Sequence, residues 1–223
     1  NYRIDQNGPI EKGFRGNSQN LDLNRDFIKC DSKDARAFTE IFHLTDPDVL
    51  VDNHVSNGAD YQHVMTLLTS QHNKLGGKMG EFLNKQFEPG LYALMKEKKY
   101  DLVPYVNVYD GTPDKGWSQY WDSPRYSSGF ASLWNTFAFV PETHMLKPYD
   151  QRVDATYALM QCFIDFTSSN SAMIKQTREQ AKQSVKTQLE FPISWKLDKS
   201  KFATITYKGY TAAYKPSEVS GQS

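Results

Sequence analysis

Two kinds of apolar pattern alternate along this chain, and they predict an α/β fold. Apolar side chains spaced three or four residues apart predict helices over about residues 34–43, 81–100 and 149–186, since such residues share one helix face. Short apolar runs predict strands at residues 48–52, 61–68, 102–109 and 135–142. The run at 48–52 is typical of a buried strand. We therefore expect a mixed, mostly parallel sheet flanked by helices.

The pattern changes near residue 188. Apolar and polar residues alternate over 191–197 and 203–207, which predicts antiparallel strands. We therefore divide the chain into residues 1–187, the α/β part, and residues 188–223, the start of an appended β-rich domain. Segments 1–20, 73–80 and 110–128 are rich in turn-forming residues and are predicted to be loops.

Composition narrows the class of protein. The 223 residues contain 26 basic and 26 acidic side chains, so nothing indicates a general affinity for nucleic acid or for anionic membranes. No apolar run approaches the roughly 18 residues of a membrane-spanning helix. The two cysteines, Cys30 and Cys162, lack metal-site spacing, and both a disulfide and two free thiols fit the sequence.

Residues 15–27 form the stretch with the most distinctive chemistry. Arg15, Asn24 and Arg25 lie close along the chain around the apolar residues Leu21 and Leu23, in a short strand end or tight turn. A guanidinium group can bind a carboxylate through two parallel hydrogen bonds. On pattern alone, the segment fits a carboxylate-binding site and also an ordinary surface cluster of ion pairs.

Two further residues are predicted to stand at strand ends. His54 follows the run 48–52, and functional groups of parallel sheets collect beyond the carboxyl ends of strands. Glu142 ends the apolar run that begins near residue 135. On pattern alone, His54 fits either a hydrogen-bonded structural histidine or a metal ligand. Glu142 fits either a solvated carboxylate or an acid–base group. His144 lies two residues beyond Glu142, and we interpret it as structural.

Three segments in this order resemble those of the zinc carboxypeptidases, the carboxypeptidase A-like metallopeptidases. They are Arg15-Gly-Asn-Ser-Gln-Asn-Leu-Asp-Leu-Asn24-Arg25-Asp-Phe, Val51-Asp-Asn-His54-Val-Ser-Asn-Gly-Ala-Asp-Tyr61 and Glu142-Thr-His-Met-Leu-Lys-Pro-Tyr149. The resemblance implies a carboxypeptidase-like fold and a hydrolase that removes C-terminal residues from peptides or proteins with the help of one zinc ion. It also favours an exported protein.

The resemblance implies a role for each candidate residue. His54 would be a zinc ligand, and Glu142 would be the general base that takes a proton from a zinc-bound water. Arg15, nine residues before Asn24, would stabilise the developing oxyanion. The remaining four candidates would contact the substrate: Asn24 and Arg25 at its terminal carboxylate, and Tyr120 or Tyr126 as an aromatic clamp, between which the sequence does not choose.

One part of the family pattern is missing. Its first two zinc ligands come from a His-x-x-Glu motif upstream of the Asn-Arg pair, and none of the five histidines here is followed by such a glutamate. A catalytic zinc ion takes three protein ligands and keeps one open position. We therefore expect the sequence to be a fragment that supplies one ligand, binds zinc weakly and is inactive alone.

Two other functions fit the same segments. One is an aspartoacylase-like deacylase of N-acyl amino acids, since those enzymes share a similar Asn-Arg segment. The other is a non-catalytic module that binds peptide C-termini. The spacing of Arg15 and the stretch after Glu142 favour the carboxypeptidase.

Overall fold

The computed structural model describes residues 15–108, 111–211, 213, 215–216, 218–219 and 221. In this part of the chain the strands are β1 (Val49–Val51), β2 (His54–Ser56), β3 (Met65–Thr69), β4 (Val103–Pro104) and β5 (Phe137–His144). The helices are α1 (Lys33–Thr45), α2 (His72–Leu75), α3 (Gly77–Phe82), α4 (Glu88–Glu97), α5 (Ser127–Ser132), α6 (Tyr149–Ser169) and α7 (Ser171–Thr187). Short 3₁₀ turns cover Leu23–Arg25 and Pro113–Lys115, and a π-helical turn covers Leu83–Phe87.

The five strands form one sheet with β5 near its centre. Its order is β1-β5-β3-β4, and β2, which follows β1 in the chain, pairs with β5 further along the same edge. Strands β1 and β2 run parallel to β5, and β4 runs parallel to β3, whereas β3 and β5 are antiparallel. The predicted α/β class, with a mixed and mostly parallel sheet flanked by helices, is confirmed.

One face of the sheet packs against helices α3, α4, α6 and α7 and forms the main core. Phe137 and Phe139 of β5 are fully buried on this face, and Phe87 of the π-helical turn packs on both. The other large, fully buried side chains of this core include Met65, Leu67, Met79, Leu91 and Leu159. The apolar side chains on one face of α4 and α6 thus form one wall of the core. Every second side chain of β3 and β5 forms the other wall.

The opposite face of β5 leads toward the candidate site. Ala138 packs there in a smaller cluster with Phe42 of α1 and Phe130 of α5. Because successive side chains of a strand alternate between faces, Val140 and Glu142 follow Ala138 on this same face. Glu142 therefore stands beyond an apolar floor, on the side of the sheet away from the main core.

Several predicted elements differ in the structure. Residues 73–80 were predicted as a loop and instead lie mostly in α2 and α3, while the predicted helix 81–100 is divided by the π-helical turn. The predicted strand 102–109 is reduced to β4. Helix α5 was missed, because its sequence, Ser-Ser-Gly-Phe-Ala-Ser, shows little helical spacing. Glu142 lies inside β5 and not at its end.

The last described part of the chain is irregular. Helix α7 ends at Thr187, where the first predicted domain ends, and no strand is assigned to the described residues beyond it. One antiparallel bridge joins Gly209 to Tyr61. The strands predicted at 191–197 and 203–207 are not present, and the division into residues 1–187 and 188–223 stays a prediction.

Cys30 and Cys162 are free thiols; Cys162 is buried in the main core. Among the described helices, we find none that combines the length and the apolar character needed to cross a membrane.

Arg178 ties α7 to the segment between α1 and β1. Its guanidinium is almost fully buried and donates to the main-chain oxygens of Asn135 (2.9 Å) and Asp46 (3.0 Å) and to the Asp48 carboxylate (3.0 Å). It also pairs with the Asp46 carboxylate. Arg178 therefore joins the end of α1 to the turn before β5, at the end of the sheet where the parallel strands β1 and β5 begin.

Replacing Arg178 by Ala should lower the free energy of unfolding by about 2–3 kcal/mol, because hydrogen bonds to charged groups are worth about 1.5–3 kcal/mol each. Lys182→Ala is the matched control. Lys182 also pairs with Asp46, at 2.6 Å, but it lies at the surface and should contribute about 0.5 kcal/mol. Urea unfolding measures both values. Equal effects of the two substitutions would contradict the proposed importance of burial.

Candidate functional site

A cavity of about 570 Å³ lies on the Glu142 face of the sheet. It brings together all the site residues predicted from the sequence: Arg15, Asn24, Arg25, His54, Tyr120, Tyr126 and Glu142. Its apolar floor includes Leu68 and Val140, which are paired across β3 and β5. Segments that are distant in the chain thus meet at one concave site.

The arginine-rich segment is held in place by its own carboxylates. Asp22 caps the 3₁₀ turn Leu23–Arg25 by accepting from the Asn24 amide (3.0 Å), and it pairs with the Arg15 Nε at 2.5 Å. Asp26 is buried and accepts from the Ser32 amide and hydroxyl (2.9 and 2.7 Å). The hydrogen bonds from Ser32 and from a neighbouring amide outweigh burial and lower the pKa of Asp26. The turn is therefore rigidly joined to the start of α1.

His54 and Glu142 meet because their strands pair in register. They are direct partners in the parallel pairing of β2 with β5, and His54 Nδ1 lies 3.5 Å from Glu142 Oε1. The other ring nitrogen, Nε2, lies 3.0 Å from Asp52 Oδ2. Both nitrogens of the imidazole therefore face carboxylates.

Asp52 and Ser127 are site residues that the sequence analysis missed. Ser127, the first residue of α5, donates its hydroxyl to Asp52 Oδ2 at 2.5 Å, so the same carboxylate contacts both Ser127 and His54. A carboxylate behind a histidine fixes the orientation and tautomer of the ring. The only signal in the sequence was the spacing of Asp52, two residues before His54.

The pKa values of His54 and Glu142 depend on each other and on Asp52. The hydrogen bond that the His54 ring donates to Asp52, followed by the one it donates to Glu142, raises the pKa of His54 to about 10. Burial raises the pKa of Glu142, against the opposite effect of the nearby His54. Its second oxygen, Oε2, is buried without a hydrogen-bond partner. Burial therefore makes the Glu142 carboxylate a stronger base than a solvated glutamate, the direction that suits an acid–base group.

Aromatic side chains form one wall of the cavity. The guanidinium of Arg25 lies over the ring of Tyr126, 4.7 Å from its centre, and donates to the Asn24 carbonyl at 2.8 Å. Tyr126 packs edge-on against Tyr120, and Tyr120 against Tyr105. Tyr105, also a lining residue, was not singled out by the sequence. Both candidate tyrosines line the cavity, so the structure does not separate them.

His144 is structural, as we expected from the sequence. It is fully buried, its Nδ1 accepts from the Leu146 amide (3.2 Å), and its Nε2 therefore donates to the Ala59 carbonyl (3.0 Å). Burial lowers its pKa. A neutral ring with both nitrogens engaged in this way is not directed into the cavity.

The implied zinc ion finds only part of a site in the described residues. His54, with Asp52 behind it, has the arrangement of a single zinc ligand and its supporting carboxylate. However, within the described ranges no group of three or more His, Cys, Asp or Glu side chains is placed to hold a metal ion. A catalytic zinc needs three such ligands. The residues described here therefore do not fit a complete zinc centre.

Comparison with known proteins supports the fold. No family model and no curated protein matches the sequence. A solved metallo-carboxypeptidase from Pseudomonas aeruginosa, in complex with (2-guanidinoethylmercapto)succinic acid, is similar in structure, with a TM-score of 0.52, 12% identity, and coverage of 74% of this chain and 43% of that one. A metallo-carboxypeptidase from Burkholderia cenocepacia has a TM-score of 0.48 and 17% identity, with coverage of 67% and 40%.

The likeness to the Pseudomonas structure shows a carboxypeptidase-like α/β fold. At this level of identity it concerns the fold alone. The chain spans about two fifths of the length of the two solved structures.

Proposed function

We propose that the cavity binds the C-terminal end of a peptide and belongs to a metallocarboxypeptidase-like hydrolase. The observation that carries this proposal is the convergence of the seven predicted residues on one cavity. The carboxypeptidase-like fold supports it. Zinc is the cofactor proposed for such an enzyme, and His54 is the ligand that the described residues would contribute.

In this proposal, Arg25 and Asn24 bind the terminal carboxylate of the substrate. The ring of Tyr126 supports the guanidinium of Arg25 by a cation–π contact, which limits its movement. A planar guanidinium matches a carboxylate better than an ammonium group does. Recognition of the free C-terminus would make the enzyme an exopeptidase.

Arg15 and Glu142 would act at the scissile bond. Arg15 lies close enough to lower the pKa of Glu142 slightly, in opposition to burial, and its charge would stabilise negative charge on the carbonyl oxygen. Glu142 would take a proton from the attacking water and return it to the leaving amine. Burial raises the pKa of Glu142, and a carboxylate with a raised pKa is a stronger base for this exchange.

The experiment compares a peptide that has a free C-terminus with the same peptide amidated, using the full-length gene product supplied with zinc. Release of the last residue from the free acid, and not from the amide, is the expected result. Hydrolysis of N-acyl amino acids without peptide cleavage would assign a deacylase instead. Binding of free C-termini without hydrolysis would assign a binding module.

Arg25→Ala should lower kcat/KM on the free peptide about 100-fold, mainly through KM, because a charge-assisted pair with the substrate is lost. Arg125→Ala is the matched control, since Arg125 also lies over Tyr126, at 5.9 Å, and does not line the cavity. It should leave KM within about twofold. If both variants bind the free peptide as well as the wild type does, Arg25 does not hold the carboxylate.

A further inference from the structure

The C-terminal segment 195–210 contacts the body of the protein through its backbone. The Gln62 amide donates to the Lys208 carbonyl at 2.8 Å, and the Lys208 amide donates to His63 Nε2 at 3.0 Å. The Gln62 side chain donates to the Gly209 carbonyl at 2.9 Å. This end of the segment is therefore attached to the stretch that leads into β3.

Tyr207 connects this attachment to the aromatic loop, which we define as residues 111–126. Its ring stacks on His63, with 5.7 Å between ring centres, and meets Trp117 of the loop edge-on at 5.3 Å. The Tyr207 hydroxyl is buried without a hydrogen-bond partner, and burial raises its pKa to about 12. The ring and not the hydroxyl therefore makes the useful contacts of Tyr207.

Trp195 makes a second contact with the aromatic loop. Its ring lies 5.8 Å from that of Trp121, centre to centre. The Lys74 ammonium lies 4.2 Å from the centre of the Trp121 ring and pairs with the fully buried Asp122. Trp121 is thus held by α2 and also by the C-terminal segment.

These contacts bear on the candidate cavity through Tyr120. Tyr120 lines the cavity and lies between Trp117 and Trp121 in the chain, and its carbonyl accepts from Gln71 Nε2 at 2.8 Å. Apart from the 3₁₀ turn Pro113–Lys115, the aromatic loop has no regular structure. A long irregular loop opens at low free energy unless other segments pack on it.

We propose that Trp195 and Tyr207 are positioning residues, which hold the aromatic loop so that Tyr120 stays at the cavity wall. The C-terminal segment would then contribute to substrate binding without touching the substrate. The link to substrate binding rests on the proposed function. The proposed effect of Trp195 and Tyr207 on the aromatic loop does not depend on that function.

Hydrogen exchange of the full-length protein tests the effect on the loop. In Trp195→Ala/Tyr207→Ala, amides of the aromatic loop should exchange about tenfold faster, the size expected from the loss of two aromatic pairs. Amides of β5 should be unchanged. Phe202→Ala is the control from the same segment, because Phe202 is 92% exposed and should change nothing. Tyr207→Phe should behave like the wild type, since it keeps the ring.

Two results would overturn the positioning role. Unchanged exchange in the aromatic loop would show that the segment does not hold it, and equal acceleration in β5 would show a merely structural contribution. If the double variant does not fold, Trp195→Ala alone should give a smaller acceleration confined to the loop. Failure of that single variant to accelerate loop exchange would also count against the proposal.

Peptidase kinetics test the link to the cavity. The double variant should raise KM about fivefold and leave kcat within about twofold, because a displaced Tyr120 weakens substrate binding and not the chemical step. Faster exchange in the aromatic loop together with an unchanged KM would show that the position of the loop does not affect substrate binding. If the wild type cleaves no peptide, the proposed function fails, while the exchange result still decides whether the segment holds the loop.

Discussion

Replacing Glu142 by Gln should lower peptide hydrolysis by the full-length protein about 10²–10⁴-fold, the usual contribution of a general acid–base group. Glutamine keeps the shape of the side chain but cannot take a proton from water. Glu142 lines the cavity, and its Oε2 atom is buried without a hydrogen-bond partner. Burial raises the pKa of Glu142. The rate of release of the C-terminal residue, under saturating peptide, is the measurement.

The matched control is Glu88→Gln. Glu88 is another carboxyl whose pKa is raised by burial, and it does not line the cavity. Its replacement should leave the rate within about twofold. Bound zinc per chain and peptide affinity should be equal in the wild type and Glu142→Gln. Equal hydrolysis by those two proteins would show that Glu142 is not the acid–base group.

Replacing Phe87 by Ala should lower the free energy of unfolding by about 3–5 kcal/mol, the range for removing a large aromatic side chain from a core. Phe87 is fully buried, and its ring centre lies 4.6 Å from that of Phe166 and 4.7 Å from that of Phe139. Its removal leaves a cavity between the π-helical turn, β5 and α6. Those elements cannot all move to fill it, because each also packs on other residues.

Urea unfolding followed by circular dichroism measures the effect of Phe87→Ala. Phe202→Ala removes the same side chain from an exposed position and should change stability by less than about 0.5 kcal/mol. A loss below about 1 kcal/mol for Phe87→Ala would mean that the core closes around the vacancy.

Periodicity was a good guide to the long elements. The helix predicted at 34–43 became α1, and the one predicted at 149–186 became α6 and α7, which are separated at Asn170, the last residue of the polar run Thr167-Ser-Ser-Asn. These segments are amphipathic, so the side that faces the core can be seen in their spacing. The class of fold followed from them and from the short apolar runs.

The pattern failed where apolar residues were few. Residues 73–80, with their three glycines, were predicted as a loop, yet they form most of α2 and α3. A Cβ atom on Gly80 would lie 2.2 Å from the main-chain oxygen of His72, so glycine is needed where these helices meet. Here the glycine permits a close approach of two helical segments, and only the packed structure shows this.

The sequence by itself determined the α/β class, the long helices and the chemical identity of the candidate residues, from Arg15 to Glu142. Only the tertiary structure decided that these residues share a cavity, that Asp52 and Ser127 support His54, and that the C-terminal segment packs on the aromatic loop. The physical reason is that side-chain spacing records which face of an element is buried. It does not record which strands pair, and the pairing of β2 with β5 is what sets His54 beside Glu142.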